Sequence, residues 1–172
     1  MKILKISLLA VGCLIGIALS AAVAYRIFFS QGVVESFEVN RADLSSKVLI
    51  ATQGSAFKKQ LVAEIIERAQ QQPVYIRVID VTAFGGVNES DWNAIILINT
   101  FESGKMQADV NAYLERLKQP EKVILLTTSG SGDWKPANGR IDSISSASKK
   151  DQSATLATEI MQRINRLLTM AR

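Results

Sequence analysis

Three loops rich in small and hydroxyl residues each follow an apolar, strand-like run, and together they are the part of the chain best suited to chemistry. They are Thr52-Gln-Gly-Ser55, Asn99-Thr-Phe-Glu-Ser-Gly104 and Ser129-Gly-Ser-Gly-Asp-Trp134. In an open parallel sheet, ligands bind beyond the carboxyl ends of the strands. Backbone N–H groups at a helix N-terminus bind phosphate, and aromatic side chains stack on planar rings. The loops therefore predict a pocket for a planar cofactor that carries a phosphate.

Other kinds of chemistry find little support in the composition. The 172-residue chain contains no histidine, which excludes a Ser-His-Asp triad, a Cys-His pair and a histidine-ligated metal. A hydrolase that uses Ser131 or another loop serine would need a lysine as its base, and we keep it as a weaker alternative. No side chain stands out as the acid or base of a separate reaction, and no metal site is predicted.

Strand-like and helix-like segments alternate along the part of the chain that carries these loops. Strands are predicted at residues 47–52, 74–81, 94–99, 122–128 and 140–145, and helices at residues 55–71, 104–117 and 150–170. This alternation predicts a three-layer α/β fold, with an open parallel sheet of five strands between helices. The partial alternation of residues 74–81 predicts an edge strand. The crossovers after the second and fourth strands are short of helix, which predicts one thinly covered face.

The N-terminal residues 1–29 have the pattern of a membrane segment. No charged side chain occurs from Ile6 to Tyr25, and about 20 apolar residues are enough to cross a bilayer. Ala22-Val-Ala24 offers a cleavage-like triplet, but Ile27-Phe-Phe29 extends the apolar run beyond it, which favours a retained signal anchor over a cleaved signal peptide. Residues 30–46 are predicted to be a linker, and residues 47–172 the folded domain.

The charge distribution predicts where that domain lies. Lys2 and Lys5 precede the apolar run and only Arg26 follows it closely, so the domain is expected outside the cytoplasm, on the periplasmic side of a single-pass membrane protein. The chain has 20 basic and 16 acidic residues, and its net charge of +4 falls to +1 without those three residues. Such a domain gives no reason to propose nucleic-acid binding. Cys13, the only cysteine, is predicted to be apolar filler within the anchor, because the apolar run continues beyond it. The alternative is a lipidation site, since small residues precede it.

Residues 47–172 resemble the flavodoxin-like family, whose members bind flavin mononucleotide (FMN) on a five-stranded parallel sheet. The resemblance rests on the order of the three loops, each after a strand. It implies that the first loop wraps the FMN phosphate through Thr52, Gln53, Gly54 and Ser55. Ala56 or Phe57 stands where the family usually has a further hydroxyl, and Lys58 or Lys59 would compensate electrostatically. The alternative is that Ser55 only caps the following helix.

The resemblance also implies that the other two loops hold the flavin ring. Phe101 and Trp134 would cover its two faces, and the glycines would let the backbone approach its edge. The implied residues are Thr100, Phe101 and Gly104 in the second loop and Ser129, Gly130, Gly132, Asp133 and Trp134 in the third. The alternative is that the glycines and serines only form turns and the two aromatic residues only pack.

Two functions follow as expectations. The first is a membrane-anchored flavodoxin-like protein that binds FMN and transfers electrons to or from an unknown redox partner protein. The second is a cofactor-free flavodoxin-like module that binds or scaffolds other proteins at the membrane. The depleted phosphate loop favours the second, as does a location outside the cytoplasm, where free flavin is scarce.

Overall fold

The computed structural model describes residues 11–21, 23, 32–136 and 139–170. Val33–Arg172 forms one compact unit, and the helical residues 11–21 and 23 belong to another. Much of the anchor predicted at residues 1–29 lies outside the described residues. Among the residues described, no helix is both long and apolar enough to span a bilayer.

Uninterrupted apolar runs form the centre of the sheet, as expected of strands that are buried on both faces. The strands within the described residues are β1 (Phe37–Val39), β2 (Ser46–Thr52), β3 (Val74–Asp80), β4 (Ala94–Glu102), β5 (Lys105–Met106), β6 (Val123–Thr128) and β7 (Asp142–Ser146). Their order is β1-β3-β2-β4-β6-β7, and β5 pairs with β4. The parallel strands thus have the order 2-1-3-4-5, which is that of the flavodoxin-like doubly wound fold. The predicted fold class is confirmed, but within the described residues the sheet has seven strands rather than five.

The two additional strands are short and antiparallel, and each corrects a prediction. β1 lies within the segment predicted to be a linker and pairs with β3, Phe37 opposite Val78. The prediction that residues 74–81 form an edge strand is therefore wrong, since β3 has a neighbour on both sides. β5 pairs with the end of β4 through a turn in which Ser103 and Gly104 have φ of 52° and 76°. Because of this hairpin, the helix predicted from Gly104 begins only at Ala108.

The helices cover the two faces of the sheet unequally. They are α1 (Ala56–Ala69), α2 (Ala108–Arg116) and α3 (Ser153–Met170). α1 and α3 pack against each other on the first face. The second face is covered by α2 and the 3-10 helix Val81–Gly86. Short 3-10 helices also occur at Glu89–Asp91, Pro120–Lys122 and Lys150–Gln152. Within the described residues, neither the β3–β4 nor the β6–β7 crossover contains an α-helix, as predicted.

Aromatic side chains take the place of the missing helices on the second face. Phe84, in the 3-10 helix after β3, is 1% exposed and stacks on Tyr113 of α2, with ring centroids 4.1 Å apart. Arg116 of α2 donates a hydrogen bond to the Phe84 carbonyl. Trp134, in the loop after β6, packs against the same core. Loops and single rings therefore close this face, and they leave surface grooves that a crossover helix would fill.

Candidate functional site

The carboxyl ends of β2, β4 and β6 lie side by side, so the three predicted loops leave the sheet at one edge. In the parallel register, Thr52 of β2 lies opposite Ile98 of β4, and Thr100 of β4 lies opposite Thr128 of β6. Side chains alternate between the faces along a strand. Thr52, Thr100 and Thr128 therefore lie on the first face, beneath α1, whereas Phe101 lies on the second.

Lys58 is the centre of the polar groups on the first face. Its side chain is 1% exposed although it lies in the first turn of α1. The ammonium donates hydrogen bonds to Gln53 Oε1, at 2.9 Å, and to Thr100 Oγ1. The Thr100 N–H also donates to Gln53 Oε1, at 2.9 Å, and the Thr100 and Thr128 hydroxyls are 3.1 Å apart. One buried cation thus connects the end of the first loop with the ends of two further strands.

Burial changes the protonation of this lysine. Removal from water disfavours the charged form and lowers the pKa of Lys58 to about 7, against a smaller opposing effect of the Glu102 carboxylate. The site therefore holds an ammonium group whose charge is sensitive to pH near neutrality. An anionic ligand beside it would favour the protonated form.

The hydroxyls of the predicted phosphate loop already bind the chain itself. Ser55 is the N-cap of α1, and its Oγ accepts a hydrogen bond from the Lys58 N–H at 3.4 Å. The Thr52 hydroxyl donates to the Gln53 carbonyl at 3.1 Å, and Thr52 is 2% exposed. Ser55 thus caps the helix, as the alternative interpretation predicted.

The sequence from Ser55 to Lys58 also has the Ser-x-x-Lys spacing found in some serine hydrolases. The structure does not use it for a nucleophile and base, because Lys58 Nζ contacts Thr100 and Gln53. The serines of the third loop form turns. Ser129 Oγ accepts from the Gly132 N–H at 2.9 Å, and Ser131 donates to Asp133. These contacts give the hydrolase alternative no support.

Phe101 and Trp134, the two predicted ring-stacking residues, come together on the second face. Their ring centroids are 4.8 Å apart and their planes are 24° from parallel, so the two rings stack directly on each other. A third ring between them would need about 7 Å, which is two contacts of about 3.5 Å each. The residue types fit FMN, because Lys58 is a cation that suits its phosphate and the two aromatic rings suit its flavin. The space between the two rings, however, is too narrow for a flavin.

A groove adjoins the aromatic pair. It has a volume of about 460 Å³, and Phe101 and Trp134 both line it, together with Gly104, Met106, Ala108 and Ala112. This volume lies within the range of about 300–1,000 Å³ that is usual for small-molecule sites. A larger cavity of about 690 Å³ lies elsewhere, lined by Val33, Phe37, Val62 and Ile66, and its lining includes Thr52 and Lys59 from the predicted phosphate loop and the start of α1.

Gly132 is required by the shape of the third loop. Its φ is +79°, and a Cβ at this position would lie 2.5 Å from the Ala147 backbone nitrogen. Gly130, in the same loop, has open space around it. The backbone of the third loop therefore requires glycine at position 132 but not at position 130. In the second loop, Gly104 has φ +76° and forms the β4–β5 turn. The Trp134 carbonyl accepts a hydrogen bond from Ser145 of β7, which ties the end of the loop to the sheet.

Among known proteins, this chain is similar to solved structures, but not to any family profile or curated sequence. A flavodoxin from the domain Archaea is 13% identical, with a TM-score of 0.44, over 69% of this chain and 99% of that one. Oxidised flavodoxin 2 from Bacillus cereus is 12% identical, with a TM-score of 0.44, over 70% and 99%. General stress protein 14 from Treponema denticola, in complex with FMN, is 9% identical, with a TM-score of 0.35, over 73% and 97%. The flavodoxin-like fold of this chain is established by its strand order.

Proposed function

We propose that this protein binds FMN at the carboxyl end of its sheet and transfers electrons to or from a partner protein at a membrane. The observation that carries the proposal is the convergence of Phe101 and Trp134, from two separate loops, at the edge where Lys58 lies buried at the start of α1. Aromatic rings suit a planar ring system, and a cation at a helix N-terminus suits a phosphate. FMN combines both groups in one ligand.

Electron transfer fits this site better than a reaction catalysed by side chains. Bound FMN supplies the redox chemistry itself, and the protein has to hold and orient it. The chain has no histidine, and the serines of the third loop are engaged in turns. A carrier that exchanges electrons with a partner protein requires no further acid or base.

A second function, a cofactor-free binding module with the same fold, is favoured by a specific observation. Gln53, Lys58 and Thr100 hydrogen-bond one another within the predicted phosphate site. Phe101 and Trp134 likewise contact each other. A site whose groups satisfy one another needs no ligand for its stability.

Titration of FMN into the purified full-length protein decides between the two functions. For the flavin carrier we expect quenching of flavin fluorescence at micromolar protein. Trp134→Ala should weaken binding by at least about 1 kcal/mol, because a stacking partner is lost. Trp92→Ala is the matched control, since Trp92 stacks on Tyr75, outside the three loops. If flavin fluorescence stays unchanged up to millimolar protein, the cofactor-free module is the correct function.

The membrane location is a separate part of the proposal and rests on the apolar run from Ile6 to Tyr25 with Lys2 and Lys5 before it. We expect a phosphatase reporter that is active only outside the cytoplasm to be active when fused to the C-terminus. It should stay in the membrane fraction. A fusion that is active only as a cytoplasmic reporter would show the opposite orientation, and one released from the membrane would show cleavage.

A further inference from the structure

The aromatic pair is held together by more than its own stacking. Trp134 packs on the core of the second face, and its carbonyl accepts a hydrogen bond from Ser145. Insertion of a ring between Phe101 and Trp134 would break a stack worth about 0.5–1.5 kcal/mol. It would also pull Trp134 away from the sheet face that it covers. A ligand that binds beside the pair avoids both costs.

The groove beside the pair exists because the β6–β7 crossover contains no α-helix in the part of the chain that the structure describes. The groove lies between α2 and the loop that ends at Trp134. On its α2 side, Ala108 and Ala112 are exposed and lie one turn apart on the same helix face. Two small side chains at this spacing leave room in the groove beside the aromatic pair. An aromatic lining suits a planar ligand.

The groove also offers polar groups for the edge of a ring. Asn111 and Glu115 of α2 line it, and the Asn111 amide donates a hydrogen bond to the Glu115 carboxylate at 2.8 Å. Lys105, on β5, lies in the same lining. Amide, carboxylate and ammonium groups together provide donors and acceptors. A heterocycle that presents both kinds of group along one edge would find partners here.

The groove and the Lys58 cluster are adjacent in the structure. Thr100 contacts Lys58 on the first face, and Phe101, the next residue of β4, lines the groove on the second. The two sites therefore lie at the same strand end, on opposite faces of the sheet. A ligand with its planar ring in the groove reaches the Lys58 side only with an anionic tail that passes around the end of β4.

We propose that the planar ring of the ligand binds in this groove, against the outer side of the Phe101–Trp134 stack, rather than between the two rings. The inference rests on the proposed function and adds the position of the ring. In this arrangement the aromatic pair forms one wall of the site and stays closed. Ala108 and Ala112 line the same groove.

The test is to fill the groove without touching the aromatic pair. Ala112→Leu adds a branched side chain to the wall of the groove and keeps a strong helix former at an exposed position. We expect it to raise the Kd for FMN at least tenfold, measured by quenching of flavin fluorescence. Ala108→Leu, one turn earlier, should have the same direction of effect. Ala154→Leu makes the same change at an exposed position of α3 and should leave the Kd within twofold.

Failure of the inference is distinguishable from failure of the proposed function. If the wild-type protein binds FMN and both Ala112→Leu and Ala108→Leu bind it equally well, the ring does not lie in the groove, and the inference is wrong. If the wild-type protein does not bind FMN at all, the proposed function is wrong and the inference is wrong with it. Circular dichroism of each variant verifies that the fold is intact.

Discussion

Phe84→Ala is expected to lower the free energy of unfolding by about 3–5 kcal/mol, the usual cost of removing a buried phenylalanine ring. The ring is 1% exposed and its centroid lies 4.1 Å from that of Tyr113. It therefore contributes both buried apolar area and aromatic stacking. Because the β3–β4 crossover has only short 3-10 helices, this side chain covers sheet that an α-helix would otherwise cover.

The measurement is equilibrium unfolding in urea, followed by circular dichroism. Phe37→Ala is the control, because it removes the same ring from a position that is 44% exposed on β1. We expect it to cost clearly less than Phe84→Ala, since less area is removed from contact with the core. Equal losses for the two variants would mean that Phe84 does not serve as the cover of the second face.

The sequence was sufficient to predict the central strands, and the reason is their composition. β2, β4 and β6 are apolar without interruption, as strands covered on both faces must be. β1 and β5 have only three and two residues, which is too short for any periodicity to show. Their pairing depends on neighbouring strands that are distant in sequence or on a turn geometry at Ser103 and Gly104. Tertiary structure decided both.

For the candidate site, the sequence predicted which loops lie together but not which contacts their side chains make. That the loops share one edge follows from parallel strands in adjacent positions. The direct stacking of Phe101 on Trp134 depends on the path of the third loop, which no spacing encodes. The burial of Lys58 did leave a signal. Lys58 precedes Leu61, Val62 and Ile65 by three, four and seven residues, so it lies on the apolar face of α1.

That buried lysine leads to the second large expected effect, which is on the pH dependence of stability. The pKa of Lys58 is about 7 in the folded protein and about 10.4 in an unfolded chain. Between these values the unfolded state binds one more proton, so the stability rises with pH. The full cost of burying the charge is present below pH 7 and disappears as the pH approaches 10.4. Between pH 7 and 9.5 we expect the free energy of unfolding to rise by about 3 kcal/mol from this group.

Lys58→Met removes the charge and retains an unbranched side chain of similar length. Its stability should therefore lack the rise of about 3 kcal/mol between pH 7 and 9.5, whatever the change at any single pH. That change at a single pH also includes the loss of two hydrogen bonds, to Gln53 and Thr100. The measurement is urea unfolding at several pH values. It ends at pH 9.5 because burial raises the pKa of Tyr113, so that ionisation of this tyrosine in the unfolded state destabilises the fold above about pH 10.

Lys59→Met is the matched control, since Lys59 is the exposed neighbour of Lys58 on α1. It should keep the rise seen in the wild-type protein, because it leaves the buried Lys58 in place. Groups that titrate elsewhere in the chain are common to all three proteins and cancel in the comparison. Parallel stability curves for the wild type and Lys58→Met would mean that Lys58 is not buried as a titrating cation.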